Sequence, residues 1–156
     1  GSRGLGDVYK RQAERGYHVV YKNASILPRN PMMMTIGKFG VTPMGGDLRC
    51  AGTVELGGIN FGPSKAPIRL LRRRVAEAFP KMTYDETEEW LGFRPTAPDS
   101  LPLIGQLKES GVYTAFGHQH IGMTSGPKTG RLISDIINNR SPNIDMSVYD
   151  PNRFNL

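Results

Sequence analysis

One arginine of the sequence lies in surroundings that favour the binding of a small anion. Arg94 belongs to the segment WLGFRPTAPDSLPLIG, residues 90–105, where it stands between apolar residues and prolines. A guanidinium group presents a rigid fork of N–H donors that can bind a carboxylate through two parallel hydrogen bonds. The pattern therefore predicts that Arg94 binds the carboxylate of a small ligand, and the alternative is a structural arginine that bridges two loops.

A second segment, GHQHIGMTSGPKTG, occupies residues 117–130 and leads from a glycine-flanked polar loop into a predicted helix. Glycines let the backbone approach a ligand closely. The free N–H groups at a helix N-terminus favour an anionic or electron-rich group. Together with Arg94, this loop predicts a small-molecule site, although a plain glycine-rich helix start has the same composition.

The order and spacing of these motifs resemble the C-terminal half of the FAD-dependent D-amino-acid oxidase superfamily, which includes glycine and sarcosine oxidases, D-amino-acid dehydrogenases and hydroxyproline dehydrogenases. The segments ERGYH, residues 14–18, and GDLRCAGTVELGG, residues 46–58, are similar to the dehydrogenase branch. The resemblance covers residues 13–156. The residues that match are Trp90, Gly92, Arg94, Pro95, Asp99, Pro102, Ile104, Gly105, Gly117, His118, Gly122 and Thr124.

The resemblance implies FAD as the cofactor and a D-amino acid or a cyclic imino acid as the substrate. The implied reaction moves a hydride from the substrate Cα to flavin N5 and gives an imino acid, so the flavin performs the chemistry and no side chain is assigned as catalytic. It further implies that Arg94 binds the substrate carboxylate, with substrate contacts from His120, Phe39 and Val54. The residues expected to contact the flavin are Gly117, His118, Gln119, His120, Ile121, Gly122, Met123 and Thr124.

Three of these assignments have a structural alternative. Phe39 and Val54 lie in predicted strands, where a place in the sheet core would explain both. At the position of His120 the glycine-oxidase branch carries a second arginine, so this histidine either contacts the substrate or is an ordinary loop residue.

The superfamily begins with a dinucleotide-binding motif, G-x-G-x-x-G, that this sequence lacks, since GLGDVY at residues 4–9 has no third glycine. We therefore expect a fragment, inactive on its own, whose partner is the missing N-terminal FAD-binding half of the same protein. Residues 1–12 resemble translated adapter sequence and are expected to form a non-native or disordered leader, so that residues 13–156 make up the domain. The alternatives are an inactive truncated remnant and a basic binding module without catalysis.

Composition excludes several other classes of protein. The net charge of +6 is concentrated partly in Arg69, Arg72, Arg73 and Arg74, but no interleaved aromatic residues accompany them, which disfavours nucleic acid as a partner. Cys50 is the single cysteine and is expected to be buried and inert. His118 and His120 form an H-x-H pair, which supplies too few ligands for a metal site. The chain has no apolar run long enough for a transmembrane segment. We expect a cytoplasmic protein, with peripheral association at the inner membrane as an alternative.

The sequence pattern predicts strands and helices that would position these residues, and together they indicate an α+β fold. We expect an antiparallel substrate-binding sheet with one long helix and a C-terminal helix. Strands are expected at residues 17–21, 32–37, 38–44, 47–53, 88–93 and 112–116, with a hairpin turn at 44–47 and an extended loop at 95–102. A helix is expected at 64–79, capped by Ser64. The last helix should begin at Thr124 or Ser125, bury Leu132, Ile133, Ile136 and Ile137, and pack back on the missing FAD-binding domain. The tail from residue 143 is expected to wrap back onto the sheet.

Overall fold

The structure is a computed structural model that describes residues 12–57 and 62–154. Strands and helices both contribute, which confirms the α+β expectation. In chain order, the elements are β1 (Gln12–Tyr21), β2 (Met32–Met34), β3 (Phe39–Met44), β4 (Asp47–Gly57), α1 (Lys65–Ala78), β5 (Thr87–Thr96), β6 (Leu103–Gln106), β7 (Tyr113–Phe116), α2 (Gly122–Ile137) and a 3-10 turn (Ser147–Tyr149).

The chain divides into two compact units. Of the described residues, the sheet unit comprises 15–57 and 62–93, and the C-terminal unit comprises 12–14 together with 94–154. A five-stranded sheet has the order β2-β3-β4-β1-β5, and β6 pairs with β7 in a separate two-stranded sheet. The first segment of β1 and the last segment of β5 therefore belong to the C-terminal unit.

Antiparallel pairing organises the sheet unit. Met32 pairs with Val41, and Val41 pairs with Cys50, so that β2, β3 and β4 form a meander. The predicted hairpin between Met44 and Asp47 is confirmed, and Gly45 and Gly46 adopt the positive φ values that such a turn requires.

The core of the sheet unit lies between the strands and α1. Apolar side chains recur along α1 at helical spacing, and those at Ile68, Leu71 and Val75 are buried. They join a cluster from the strands that contains Tyr17, Val19, Tyr21, Phe39, Val41, Leu48 and Cys50. Ser64 occupies the N-cap of α1 but makes no side-chain capping hydrogen bond. Its N–H instead donates to the Tyr17 hydroxyl at 3.1 Å.

β5 is longer than the sequence pattern predicts. It continues through Arg94 and Pro95 to Thr96, so the expectation of a loop from residue 95 was wrong for Pro95 and Thr96. β5 is the last strand in the sheet order. A proline, which has no N–H to donate, is tolerated in such an edge strand. This extension places Arg94 within a regular strand.

The C-terminal unit consists of the β6–β7 hairpin, α2 and the tail. Leu103 pairs with Phe116, and α2 packs against both strands. Strand β6 was not predicted. α2 begins at Gly122, two residues before the expected Thr124. Leu132 is buried in α2 as predicted, whereas Ile137 is half exposed, so the predicted buried stripe was wrong at that residue. The packing of α2 on a further domain stays a prediction.

The tail returns to the end of β6, which belongs to the two-stranded sheet, so its expected contact with the substrate-binding sheet stays a prediction. The side-chain amide of Asn152 donates to the carbonyl of Gln106 at 2.9 Å, and its oxygen accepts from the N–H of Lys108 at 2.9 Å. Arg153 forms two hydrogen bonds with the carboxylate of Asp99, at 2.7 and 2.9 Å. These contacts fasten the last described residues to the segment that follows β5.

Candidate active site

Arg94 lies near the end of β5 and is held by a carboxylate of its own chain. Its Nη1 donates to Oε1 of Glu14 at 2.9 Å. The Arg94 side chain is 31% exposed and the Glu14 side chain 10% exposed. Among the described residues, Glu14 alone accepts a side-chain hydrogen bond from this guanidinium group. Within residues 12–57 and 62–154, no side-chain acceptor occupies the Nε and Nη2 edge of the fork.

Thr96 connects this ion pair to the loop ahead of α2. Its hydroxyl donates to Oε2 of Glu14 at 3.3 Å. The Thr96 backbone forms an isolated antiparallel bridge with His118. We term residues 117–124, which are predicted to contact the flavin, the 117–124 loop. The bridge between Thr96 and His118 therefore joins the end of β5, where Arg94 lies, to the start of this loop.

The backbone of the 117–124 loop has a conformation set by local sequence. Gly117 has a φ of +87°, in the region that favours glycine, and Gln119 has a φ of +52°. The N–H of Ile121 donates to the carbonyl of His118 at 3.0 Å and closes a turn. The side chain of Gln119 donates to the carbonyl of Ser100 at 2.9 Å. One hydrogen bond within the loop and one to Ser100 therefore restrain the conformation of the loop.

The N-terminus of α2 has neither a side-chain cap nor an acidic residue in its first turn. Its N-cap residue is Ile121. The N–H groups of a first helical turn have no intrahelical acceptor, and they form the positive end of the helix dipole. Met123, on the same turn, is 96% exposed. Within the described part of the chain, this end of the helix therefore has no side-chain cap and presents the apolar surface of Met123.

The two histidines of the loop have different surroundings. The Nε2 of His118 lies 2.9 Å from the hydroxyl of Thr129 on α2, and its ring is partly buried. His118 therefore ties the loop to the helix. His120 is exposed. Its expected contact with the substrate stays a prediction, as do the flavin contacts of the whole loop.

Phe39 and Val54 belong to the sheet unit and differ in burial. Phe39 is 1% exposed and is part of the core cluster, a position that favours the alternative of sheet core. Val54 is 52% exposed on β4 and presents apolar surface. Substrate contact by either residue stays a prediction.

The ERGYH segment has contacts that sequence reasoning did not find. Arg15 is buried, with Nε 3.3 Å from Oε2 of Glu55, and it also donates to the carbonyl of Gly62. The Tyr17 hydroxyl donates to the same Glu55 oxygen at 2.6 Å, and this bond is the main cause that lowers the pKa of Glu55. His18 stacks on Trp90 with ring centroids 4.8 Å apart. The sequence did contain a signal for these contacts, namely the charged residues Glu14 and Arg15 directly before an apolar strand. Charged side chains that are buried need partners, so such a pair predicts further contacts.

The remaining sequence features have structural roles. In the arginine cluster of α1, Arg72 lies 2.8 Å from Glu89 and Arg73 lies 3.7 Å from Glu77, as expected of a solvated helix face. Cys50 is fully buried, which confirms the predicted burial, and burial raises its pKa to about 12. Within residues 12–57 and 62–154, no three or more His, Cys, Asp or Glu side chains form a group that could hold a metal ion. None of the described helices has the length and apolar character to cross a membrane.

Comparison with known proteins identifies the family. A protein-family model described as FAD dependent oxidoreductase matches residues 2–136. The chain belongs to this family of FAD-dependent oxidoreductases. The match begins within residues 1–12, whose assignment as a leader stays a prediction. Of these residues the structure describes Gln12 alone, which opens β1.

Named relatives agree with the family. The chain is 36% identical over 155 residues to a D-amino-acid oxidase of Bradyrhizobium diazoefficiens, and this match covers 96% of the chain and 37% of that protein. It is 29% identical over 143 residues to a D-amino acid dehydrogenase 1 of Mesorhizobium japonicum, covering 90% of the chain and 34% of that protein. The chain thus spans about a third of the length of these relatives.

A solved structure shares the fold. A glycine oxidase from Geobacillus kaustophilus superposes with a TM-score of 0.77 at 22% identity, covering 97% of the chain and 42% of that protein. The members of this family use FAD. In the C-terminal unit, the start of α2 has no side-chain cap and no acidic residue in its first turn, which is compatible with an electron-rich group such as one edge of a flavin ring.

Proposed function

We propose that the chain is the substrate-side part of an FAD-dependent oxidoreductase that oxidises the Cα–N bond of a D-amino acid or a cyclic imino acid. The observation that carries the proposal is the bridge between Thr96 and His118. It joins the strand that bears a partly exposed arginine to the loop that leads into an uncapped helix N-terminus. The names of the two curated relatives support D-amino acids as the substrate class.

Arg94 binds the substrate carboxylate in this proposal. The Nη1 group is occupied by Glu14, so the carboxylate lies on the Nε and Nη2 edge, which can form two parallel charge-assisted hydrogen bonds. A bidentate contact fixes the orientation of the Cα–H bond as well as the position of the substrate. His120 supplies a further substrate contact in this proposal, whereas Phe39, which is 1% exposed, is assigned to the sheet core.

The 117–124 loop and the first turn of α2 hold one edge of the flavin in this proposal. Bound FAD would supply the acceptor for the hydride that leaves the substrate Cα. The N–H groups of the helix start stabilise the negative charge that reduction places on the ring. His118 keeps the loop on the helix through Thr129. No side chain is assigned as a base, since a substrate amine that enters neutral needs none.

The rival proposal of a basic binding module has less support, because Arg72 and Arg73 already pair with acidic side chains. A direct test uses the full-length enzyme that contains this sequence, with oxygen and an artificial electron acceptor supplied in parallel. We expect turnover with D-amino acids or cyclic imino acids and none with matched L-amino acids. Absence of turnover with every substrate of this class, in a preparation that holds stoichiometric FAD, would overturn the proposal.

A further inference from the structure

Glu14 is a buried carboxylate whose two oxygens both have partners. Its side chain is 10% exposed at the head of β1, and it opens the ERGYH segment. Removing a carboxylate from water is costly unless another charge and good hydrogen bonds offset the loss. Oε1 accepts from Nη1 of Arg94, and Oε2 accepts from the hydroxyl of Thr96. Each of these two partners stands on β5, 80 and 82 residues further along the chain.

The contact with Glu14 restricts the orientation of Arg94. A guanidinium group is planar, so fixing one terminal nitrogen and the strand backbone leaves little freedom to the plane of the fork. The bond to Nη1 leaves the edge formed by Nε and Nη2 as the one suited to a second carboxylate. The partial exposure of Arg94 shows that this side chain can be reached from solvent.

Thr96 extends the same restraint to the loop. Residues two apart on a strand project to the same face, and Arg94 and Thr96 do so toward one carboxylate. The backbone of Thr96 then pairs with His118. Glu14 therefore restrains both Arg94 and Thr96, and the backbone of Thr96 pairs with the 117–124 loop.

We propose that Glu14 is a positioning residue, which aims the Nε and Nη2 edge of Arg94 at the substrate carboxylate. This inference rests on the proposed function of Arg94. Glu14 itself touches no substrate in this account. Its effect should appear in the capture of substrate and not in the binding of FAD, because an interaction kept in both the ground state and the transition state changes KM with little change in kcat.

The test replaces Glu14 in the full-length enzyme by glutamine, which keeps the shape and removes the charge. For Glu14→Gln we expect KM for the preferred substrate to rise about tenfold or more, kcat to stay within about threefold, and FAD content to stay unchanged. Glu77→Gln is the matched control, because Glu77 is an exposed carboxylate that also pairs with an arginine, Arg73. The control should leave both constants unchanged.

A double substitution separates positioning from general stability. If Glu14 acts through Arg94, then Glu14→Gln should change KM less than about twofold in an Arg94→Lys background, since the two changes remove one shared interaction. Additive effects of the two substitutions would overturn the inference, and so would an unchanged KM in Glu14→Gln alone.

Thr96→Val keeps the inference testable if Glu14→Gln does not fold. It removes the donor to Oε2 and leaves both charges in place, so KM should rise about twofold to fivefold with FAD retained. An unchanged KM in Thr96→Val would then overturn the inference. Failure of the proposed function looks different, because the unmodified enzyme would then oxidise no amino or imino acid at all.

Discussion

Thr96 and His118 pair through their backbones, and Arg94 lies two residues before Thr96 on the same strand. This relationship puts Arg94, the proposed carboxylate-binding residue, and the start of α2, the proposed flavin-contacting helix end, into one unit of the protein. The loop that begins at Gly117 thus has a fixed connection to the end of β5. The account of function depends on this connection more than on any other.

The first prediction concerns Arg94→Lys in the full-length enzyme. Lysine keeps the charge but loses the planar fork, so it cannot both hold Glu14 and bind a carboxylate through two bonds. Losing one charge-assisted contact costs about 2–3 kcal/mol, which corresponds to a fall of about thirtyfold to a hundredfold in kcat/KM. Steady-state kinetics measures this, and flavin absorbance should show that FAD is retained.

Arg140→Lys is the matched control for this change. Arg140 is an exposed arginine that pairs with one carboxylate, Asp135, at 3.1 Å. It has no place in the proposed site, and its replacement should leave kcat/KM unchanged. Equal kinetics for the two variants would remove Arg94 from the site.

The second prediction contrasts the two loop histidines. His118→Ala breaks the contact with Thr129 and frees the loop from α2, so the full-length enzyme should release FAD more readily. His120→Ala leaves this contact in place and should raise KM for the substrate without changing FAD affinity. Fluorescence of released flavin and steady-state kinetics measure the two effects. An unchanged KM in His120→Ala would leave Arg94 and the helix start as the site.

The third prediction is a pH dependence from the Arg153–Asp99 pair. The hydrogen bonds from Arg153 lower the pKa of Asp99. A carboxyl group with a lowered folded-state pKa stabilises the fold above its unfolded value, near pH 4, and loses this contribution as pH falls through the folded value. Arg153→Met should therefore reduce the free energy of unfolding by about 1–2 kcal/mol at pH 7. The difference from the unmodified chain should shrink in strong acid to the part that comes from the hydrogen bonds of Arg153 to the carbonyls of Leu101, Pro102 and Asp150, which do not titrate.

Urea unfolding of the chain between pH 7 and pH 2.5 checks this prediction. Arg131→Met is the control, because Arg131 is an exposed arginine with its carboxylate partner 3.9 Å away. Its loss should change the free energy of unfolding by less than about 0.5 kcal/mol at either pH. A deficit in Arg153→Met that is the same at pH 7 and pH 2.5 would contradict the assigned role of the ion pair.

The fourth prediction is that Cys50 does not react in the folded chain. Burial raises its pKa to about 12. At pH 8 the thiolate, which is the reactive form, is then present in roughly one molecule in ten thousand. A thiol reagent should label the folded chain far more slowly than the chain in denaturant. Rapid stoichiometric labelling under native conditions would show that the thiol is accessible.

Sequence patterns predicted those features that are local. The periodicity of Ile68, Leu71 and Val75 defined α1, and two glycines defined the hairpin after Met44. Strand β6 was missed because it has only four residues, follows Pro102 and contains Gly105, and so carries too little periodicity. The start of α2 was placed late because Ile121 is not a capping residue type, so the sequence carries no start signal there.

The site was also predicted only in part, because local patterns reveal single motifs but not the contacts between them. Arg94 and the 117–124 loop stand in recognisable motifs. Their connection through Thr96, and the pairing of Glu14 with Arg94, depend on which residues of β1, β5 and the loop face one another. Pairing across 80 residues is set by tertiary structure, which no local pattern encodes.

The most direct test of the account is anaerobic mixing of the full-length enzyme with substrate while flavin absorbance is recorded. The account predicts that a D-amino acid or a cyclic imino acid bleaches the oxidised flavin in a saturable manner. It also predicts that the matched L-amino acid does not bleach it, and that Arg94→Lys needs at least about tenfold more substrate for half-saturation. A flavin that stays oxidised with every D-amino and imino acid tried would contradict the central claim, as would half-saturation unchanged in Arg94→Lys.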